Sequence, residues 1–143
     1  MARLIGIDYG QKRSGLAVTD PGQRIAQSLA ALATYDLYTF LDKYVAKEPV
    51  EAFVVGFPRQ MNHQPSESAP HVQAFVKGLQ NKFPDIPVYW EDERFTSTMA
   101  SKALFDAGVP KAKRQERGRI DVMSAVILLE SYLEKQRNLK TRT

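Results

Sequence analysis

Apolar runs separated by short polar turns occupy the first third of the chain, and this pattern is typical of β-strands. Residues 2–8 and 14–20 are two such runs joined by a Gly/Lys/Arg turn, which predicts a β-hairpin. Residues 25–33 predict a third strand. Residues 52–57 form a continuous apolar run of the kind found in central strands that are covered on both faces. Residues 88–90 predict a short last strand.

Apolar residues at helical spacing lie between and after these strands. They predict helices over residues 36–47, 68–83, 97–107 and 119–137. The order ββ(β)–α–β–α–β–α–α places a hairpin first and βαβ crossovers after it, which predicts an α/β fold with helices on the faces of a mixed sheet. No internal linker is visible, so we predict one domain over residues 1–137 and a disordered tail over residues 138–143.

Composition places the chain among ordinary globular proteins and excludes several chemistries. Of its 143 residues, 43% are hydrophobic and 25% are charged, and the net charge of +4 favours polyanionic partners. The absence of cysteine excludes disulfides, thiolate zinc sites and a cysteine nucleophile. Asp8 interrupts the only N-terminal apolar stretch, so no signal peptide is visible, and no run approaches the roughly 18 apolar residues of a membrane span. We therefore expect a soluble, cytoplasmic protein.

Acidic residues stand at the ends of predicted strands and at the start of the last helix. Asp8 ends the first strand, and Asp121 opens the helix on the side that packs against the sheet. Glu91, Asp92 and Glu93 follow the last strand, where alternation sends the two glutamates to one face and the aspartate to the other. Converging carboxylates hold the divalent cations that stabilise charge during phosphodiester hydrolysis. The hypothesis is a metal-dependent phosphodiesterase that acts on nucleic acid.

Each acid also has a purely structural interpretation. Asp8 could be a turn residue, Asp121 an ordinary helix-start acid, and the Glu91–Glu93 cluster a solvated strand end paired with Arg94. The basic residues are equally open to two interpretations. They are candidate phosphate ligands or solvated surface: Lys12 and Arg13 beside Asp8, Arg94 beside Glu93, and a run before the last helix that contains Lys111, Lys113, Arg114, Arg117 and Arg119.

Four stretches resemble the YqgF/RuvX family of Holliday-junction-resolvase-like pre-16S rRNA nucleases. The first is residues 6–18, GIDYGQKRSGLAV, and the others follow in the family's order and spacing: residues 54–58, VVGFP; residues 92–97, DERFTS; and residues 120–129, IDVMSAVILL. The resemblance spans nearly the whole chain. One departure is the pair Asn62-His63, which stands where the family usually has Asp-Gly or a similar pair.

The resemblance implies an RNase H-like fold, with a five-stranded mixed sheet flanked by helices. It assigns catalytic and metal-binding roles to Asp8, Glu93 and Asp121, with Asp92 as a further candidate ligand, and implies Mg²⁺ or Mn²⁺ as the cofactor. The implied activity is metal-dependent cleavage, either of RNA during 5′-end trimming of the 16S rRNA precursor or of branched DNA.

Two other functions remain open from the sequence. One is a catalytically silent module that binds nucleic acid or assists ribosome assembly. The other is an ATP-binding fragment of the actin/hexokinase type, although the second phosphate loop and the length of that fold are absent. The sequence does not distinguish RNA from branched DNA as substrate, exonucleolytic from endonucleolytic cleavage, or a monomer from a homodimer.

Overall fold

The computed structural model describes residues 2–58, 69–92, 108 and 119–142. The strands in these residues are β1 (Arg3–Asp8), β2 (Arg13–Thr19), β3 (Ala26–Ala33), β4 (Val50–Phe57) and β5 (Val88–Asp92). The helices in them are α1 (Leu37–Lys47), α2 (Ala69–Lys82) and α3 (Arg119–Arg142), and a 3-10 turn over Thr34–Asp36 leads into α1.

The five strands form one mixed sheet in the order β3-β2-β1-β4-β5. The first three strands are antiparallel neighbours, whereas β1 pairs with β4 and β4 with β5 in parallel. Parallel neighbours require a crossover connection, and α1 and α2 lie in the segments that supply the two crossovers. The predicted α/β class, with hairpin strands first and βαβ crossovers after them, is confirmed.

Alternation along the strands creates two cores, one on each face of the sheet. One face packs against α1 and α2, and its strand residues include Ile5, Ile7, Leu16, Val18, Phe53 and Val55. The other face packs against α3, and its strand residues are Leu4, Ala17, Ala52 and Val54. The interior strand β4 contributes to both cores, as its continuous apolar run predicts.

The structure differs from the sequence predictions mainly at the ends of elements. Strand β5 includes two acidic residues, Glu91 and Asp92, that we placed after the strand. Helix α3 runs to Arg142 rather than to Arg137, so the backbone over residues 138–142 is helical where we expected a disordered tail. The sequence beyond Arg137 contains no glycine or proline to end the helix. The helix predicted over residues 97–107 lies outside the described residues.

Candidate functional site

Two of the predicted acids, Asp8 and Asp121, are both neighbours of Gly15. Asp8 ends β1 and is the antiparallel partner of Gly15 in β2, and such partners have Cα atoms about 4.5–5.5 Å apart. Gly15 in turn lies directly under the first turn of α3, because a Cβ added to it would be 2.0 Å from the carbonyl oxygen of Asp121 and 2.7 Å from the amide nitrogen of Val122. The fold therefore brings together two acids that are far apart in the sequence.

Alternation along β1 directs Asp8 to the face of the sheet that α3 covers. Leu4 packs in the α3 core, and a Cβ added to Gly6 would lie 3.0 Å from the Cβ of Leu129 in α3. Asp8 is two residues further along and shares that face, whereas Ile7 belongs to the core on the other side. Both Asp8 and Asp121 are half-buried, so the two carboxylates stand at the rim of this core.

Arg13 places a positive charge at this site. It opens β2 with the same strand parity as Gly15, and its Nε lies 3.7 Å from Oδ2 of Asp121, with the two side chains 38% and 30% exposed. The terminal nitrogen Nη1 is buried and has no hydrogen-bond partner among the described residues. A guanidinium carries five N–H donors that suit carboxylates and phosphates. Arg13 thus retains unused capacity to bind an anion.

Hydrogen bonds hold the turn that carries Lys12 and Arg13. The Gly10 amide donates to Oγ of Ser14 over 3.2 Å, and the Thr34 hydroxyl donates to the Gly10 carbonyl over 2.6 Å. The Ser14 and Thr34 hydroxyl oxygens are 2.8 Å apart, and the Thr34 amide donates to the Lys12 carbonyl over 2.9 Å. A Cβ on Gly10 would lie 2.3 Å from the Arg13 carbonyl oxygen, so this close turn requires glycine. Lys12 is exposed on it.

Aromatic rings tie the same turn to the helical layer. Tyr9 stacks on Phe75 of α2 with ring centroids 4.9 Å apart, and Tyr38 of α1 stacks on Phe75 at 5.3 Å. The Tyr38 hydroxyl donates to the Phe75 carbonyl over 2.9 Å. Burial raises the pKa of Tyr38, and the nearby Tyr9 raises it further, so the hydroxyl keeps the proton that it donates. Sequence reasoning missed Ser14, Thr34 and these rings because their contacts join distant segments.

Glu91 has a structural role on the α3 face. It pairs with Gly56 in the parallel ladder and its side chain is 4% exposed. Its carboxylate accepts hydrogen bonds from Oγ of Ser131 over 2.7 Å and from Nζ of Lys135 over 2.9 Å. The predicted face of Glu91 is confirmed, and the interpretation of Glu91 as a solvated strand end is wrong because Ser131 and Lys135 satisfy its buried charge.

Asp92 has the opposite parity to Glu91 and pairs with Phe57. It therefore belongs to the face of α1 and α2, away from the face that Asp8 shares with α3. Glu93 and Arg94 lie outside the described residues, as do the predicted phosphate ligands of the basic run: Lys111, Lys113, Arg114 and Arg117. The backbone of Arg119 opens α3. The convergence of Glu93 on Asp8 and Asp121 stays a prediction.

The carboxylates at this site suit a hard divalent cation. Mg²⁺ and Mn²⁺ prefer oxygen ligands, and Asp8 and Asp121 supply them from two elements on one face. The guanidinium of Arg13 already places a positive charge beside the Asp121 carboxylate. No group of three acidic or histidine side chains able to hold a metal occurs among the described residues, and the predicted third ligand, Glu93, is not one of those residues. The donor set present fits the implied metal.

The sheet order and the helical layers, with Asp8 at the end of β1 and Asp121 in the first turn of α3, define an RNase H-like α/β protein. Solved structures agree on the fold. Thermus thermophilus RuvC in complex with a Holliday junction substrate aligns with a TM-score of 0.54 and 17% identity over 95% of this chain and 96% of that chain. A second T. thermophilus RuvC structure aligns with a TM-score of 0.50 and 19% identity over 94% and 96% of the two chains.

Sequence comparison identifies the family. The family model RuvX, described as Holliday junction resolvase, matches residues 2–135, and the chain belongs to this family. Relatives from Flavobacterium johnsoniae, Phocaeicola vulgatus and Bacteroides thetaiotaomicron are 51%, 50% and 45% identical over 137 residues, which is 96% of this chain and 99% of each relative. Each of the three is named "Putative pre-16S rRNA nuclease". No helix in the described segments is long and apolar enough to cross a bilayer.

Proposed function

We propose that this protein is a metal-dependent nuclease that hydrolyses phosphodiester bonds in nucleic acid during 5′-end processing of pre-16S rRNA. The observation that carries the proposal is the placement of Asp8 beside Gly15 and of Asp121 above it, with Arg13 next to Asp121. The names of the relatives support the rRNA precursor as substrate. We expect the protein to act in the cytoplasm, where bacterial rRNA is made.

In this proposal Asp8, Asp121 and Glu93 hold Mg²⁺ or Mn²⁺. The bound metal supplies stabilisation of the negative charge that develops on the attacking and leaving oxygens. The half-buried carboxylates at the rim of the α3 core remain open to a substrate. The parity of Asp92 speaks against its joining this ligand set, because it belongs to the opposite face of the sheet.

The basic side chains bind the backbone of the substrate. Arg13 has an unused N–H group at the acids, and Lys12 is exposed on the same anchored turn, one residue away. Arg94 and the basic run are further phosphate ligands by their position in the sequence: Lys111, Lys113, Arg114 and Arg117. Contacts to phosphate carry affinity without reading sequence, so we expect the shape of the substrate to determine where cleavage occurs.

The experiment is a cleavage assay of purified wild-type protein and the Asp8→Asn variant with Mg²⁺ or Mn²⁺. Asparagine keeps the shape of the side chain but removes the anionic ligand, so we expect cleavage to be lost while the fold is retained. Asp42→Asn is the matched control, since it removes one carboxylate from an exposed position on α1, where Asp42 pairs with Lys82 at 3.7 Å. Full activity in Asp8→Asn would refute the proposed site.

Two substrates distinguish the remaining alternatives. Precursor 16S rRNA tests the processing role, and a four-way DNA junction tests the resolvase activity that the family description favours. A protein that binds either substrate but cleaves neither with Mg²⁺ or Mn²⁺ would instead be the silent nucleic-acid-binding module.

A further inference from the structure

We propose that Arg13 is an exchangeable internal counter-ion of the acidic site. It neutralises Asp121 while no metal is bound, a divalent cation displaces it, and the released guanidinium then binds a phosphate of the nucleic acid. This inference concerns the regulation of the same site and rests on the proposed function.

The geometry of the Arg13–Asp121 pair suits exchange. The Nε–Oδ2 separation of 3.7 Å exceeds the roughly 2.7–3.2 Å of an N–H···O hydrogen bond. Both side chains are about one-third exposed, and ion pairs of this kind are weak because water screens them. An incoming divalent cation therefore loses little by replacing the guanidinium at this carboxylate.

The unpartnered nitrogen of Arg13 indicates a second partner. Nη1 is buried and finds no hydrogen-bond acceptor among the described residues, and a buried donor without a partner is unfavourable. A phosphate accepts two parallel N–H bonds from a guanidinium. The contact with Asp121 runs through Nε, so the side chain must leave Asp121 and rotate before the buried Nη1 can meet such an anion.

The turn keeps the Arg13 backbone in place while the side chain changes partner. The Ser14 and Thr34 hydroxyls hold the turn through Gly10, and Arg13 is the first residue of β2, paired with Ala33 of β3. The exchange consequently needs only side-chain rotation. It also links two events, because the Arg13 side chain becomes available to bind phosphate at the moment that the site gains the metal.

The exchange makes two predictions of opposite sign. Arg13→Gln removes the competing cation, so Mn²⁺ should bind about 2- to 5-fold more tightly than to wild-type protein. The same variant should bind nucleic acid more weakly. Lys12→Gln is the matched control for the Mn²⁺ titration alone, because it removes the same charge one residue away from an exposed side chain. As a proposed phosphate ligand, Lys12 is no control for nucleic-acid binding. Screening limits its effect on Mn²⁺ affinity to less than about 2-fold.

The test is calorimetric titration of Mn²⁺ alone into wild-type protein, Arg13→Gln, Lys12→Gln and Asp8→Asn, followed by nucleic-acid binding in saturating Mn²⁺. Tighter Mn²⁺ binding by Arg13→Gln than by Lys12→Gln supports the exchange. Equal or weaker binding by Arg13→Gln overturns the exchange. In that case the proposed function still stands if wild-type protein binds Mn²⁺ and Asp8→Asn does not. If wild-type protein binds no Mn²⁺, the proposed function itself fails.

A second measurement needs no variant at the arginine. In wild-type protein labelled with ¹⁵N, the Nε–H resonance of Arg13 should shift during Mg²⁺ titration, with the same midpoint as a separate calorimetric titration of Mg²⁺ into wild-type protein. A resonance that stays unchanged when the site is saturated would show that Arg13 keeps its partner, and the proposal would be wrong even if Arg13→Gln failed to fold.

Discussion

The contact between Gly15 and the first turn of α3 sets the separation of Asp8 and Asp121, and the Gly15→Ala variant tests this dependence. An added Cβ would lie 2.0 Å from the carbonyl oxygen and 2.2 Å from the carbonyl carbon of Asp121, and 2.7 Å from the amide nitrogen of Val122. Ordinary contact begins at 3.4 Å, so the turn must retreat by about 1.4 Å, the difference between 3.4 and 2.0 Å. All three atoms belong to the backbone, so no side-chain rotation relieves the clash.

The expected effects are moderate on stability and large on activity. Overpacking of this kind costs about 1–3 kcal/mol, which at about 4 °C per kcal/mol lowers the Tm by about 4–12 °C. A displacement of about 1 Å in a catalytic constellation lowers the rate about 10²-fold. Since the displaced turn carries Asp121 itself, Mn²⁺ affinity should fall together with the cleavage rate.

The assay compares Gly15→Ala with Gly22→Ala by thermal unfolding, Mn²⁺ titration and cleavage rate. A Cβ on Gly22 would lie 3.1 Å from Oδ2 of Asp20 and 3.3 Å from Nε of Arg24. Both contacts are only slightly closer than ordinary contact and involve side-chain atoms, so shifts of a few tenths of an ångström relieve them, and the control should keep the Tm and rate of wild-type protein. If Gly15→Ala also kept both, the close approach of α3 to β2 would not determine the geometry of the site.

Two further predictions concern charged residues away from Asp8 and Asp121. Lys135→Ala should destabilise the protein by about 1–3 kcal/mol, more than Glu91→Gln does. The reason is that Lys135→Ala leaves the Glu91 carboxylate, which is 4% exposed, without its cation, whereas in Glu91→Gln the Lys135 side chain is 59% exposed and stays hydrated. Denaturant unfolding of both variants measures this difference in stability, and equal losses would contradict the prediction. Hydrogen bonds from the Ile25 and Arg24 amides lower the pKa of Asp20 from 3.8 to about 2. Wild-type protein should therefore be more stable than Asp20→Asn above about pH 4, and unfolding across pH should show the difference vanish as pH falls through about 2.

Local patterns in the sequence were sufficient to predict most of the sheet. The hairpin and β4 are apolar runs that need no partner to be recognised, and the order of the elements then determines which strands are parallel. The end of β5 was missed because Glu91 and Asp92 look like loop residues. Burial of Glu91 depends on Ser131 and Lys135, which follow much later in the chain, and no local pattern contains that contact.

The acids of the site were predictable as candidates, since Asp8 ends a strand and Asp121 begins a helix. Their proximity was not predictable from those positions, because it depends on how closely α3 approaches β2. A signal for the close approach is nevertheless present in the strands: Gly15 and Ala17 in β2 and Gly6 in β1 all face α3. Small residues restricted to one face of a sheet indicate that a helix backbone lies close to that face.

Strand parity determines the face on which Arg13 lies but not the helix residue that it meets. Arg13 shares the face of Gly15 and Ala17, so its position in β2 already directs it to the side of α3. Which helix residue it meets depends on the rotation and register of α3, and these follow from the packing of Ala125 and Leu129 over Gly6. The local sequence therefore determines on which face of the sheet Arg13 lies, whereas the packing of α3 determines that Arg13 pairs with Asp121. For this reason we expect changes under the helix at Gly15 to alter metal binding as strongly as changes to the charged residues themselves.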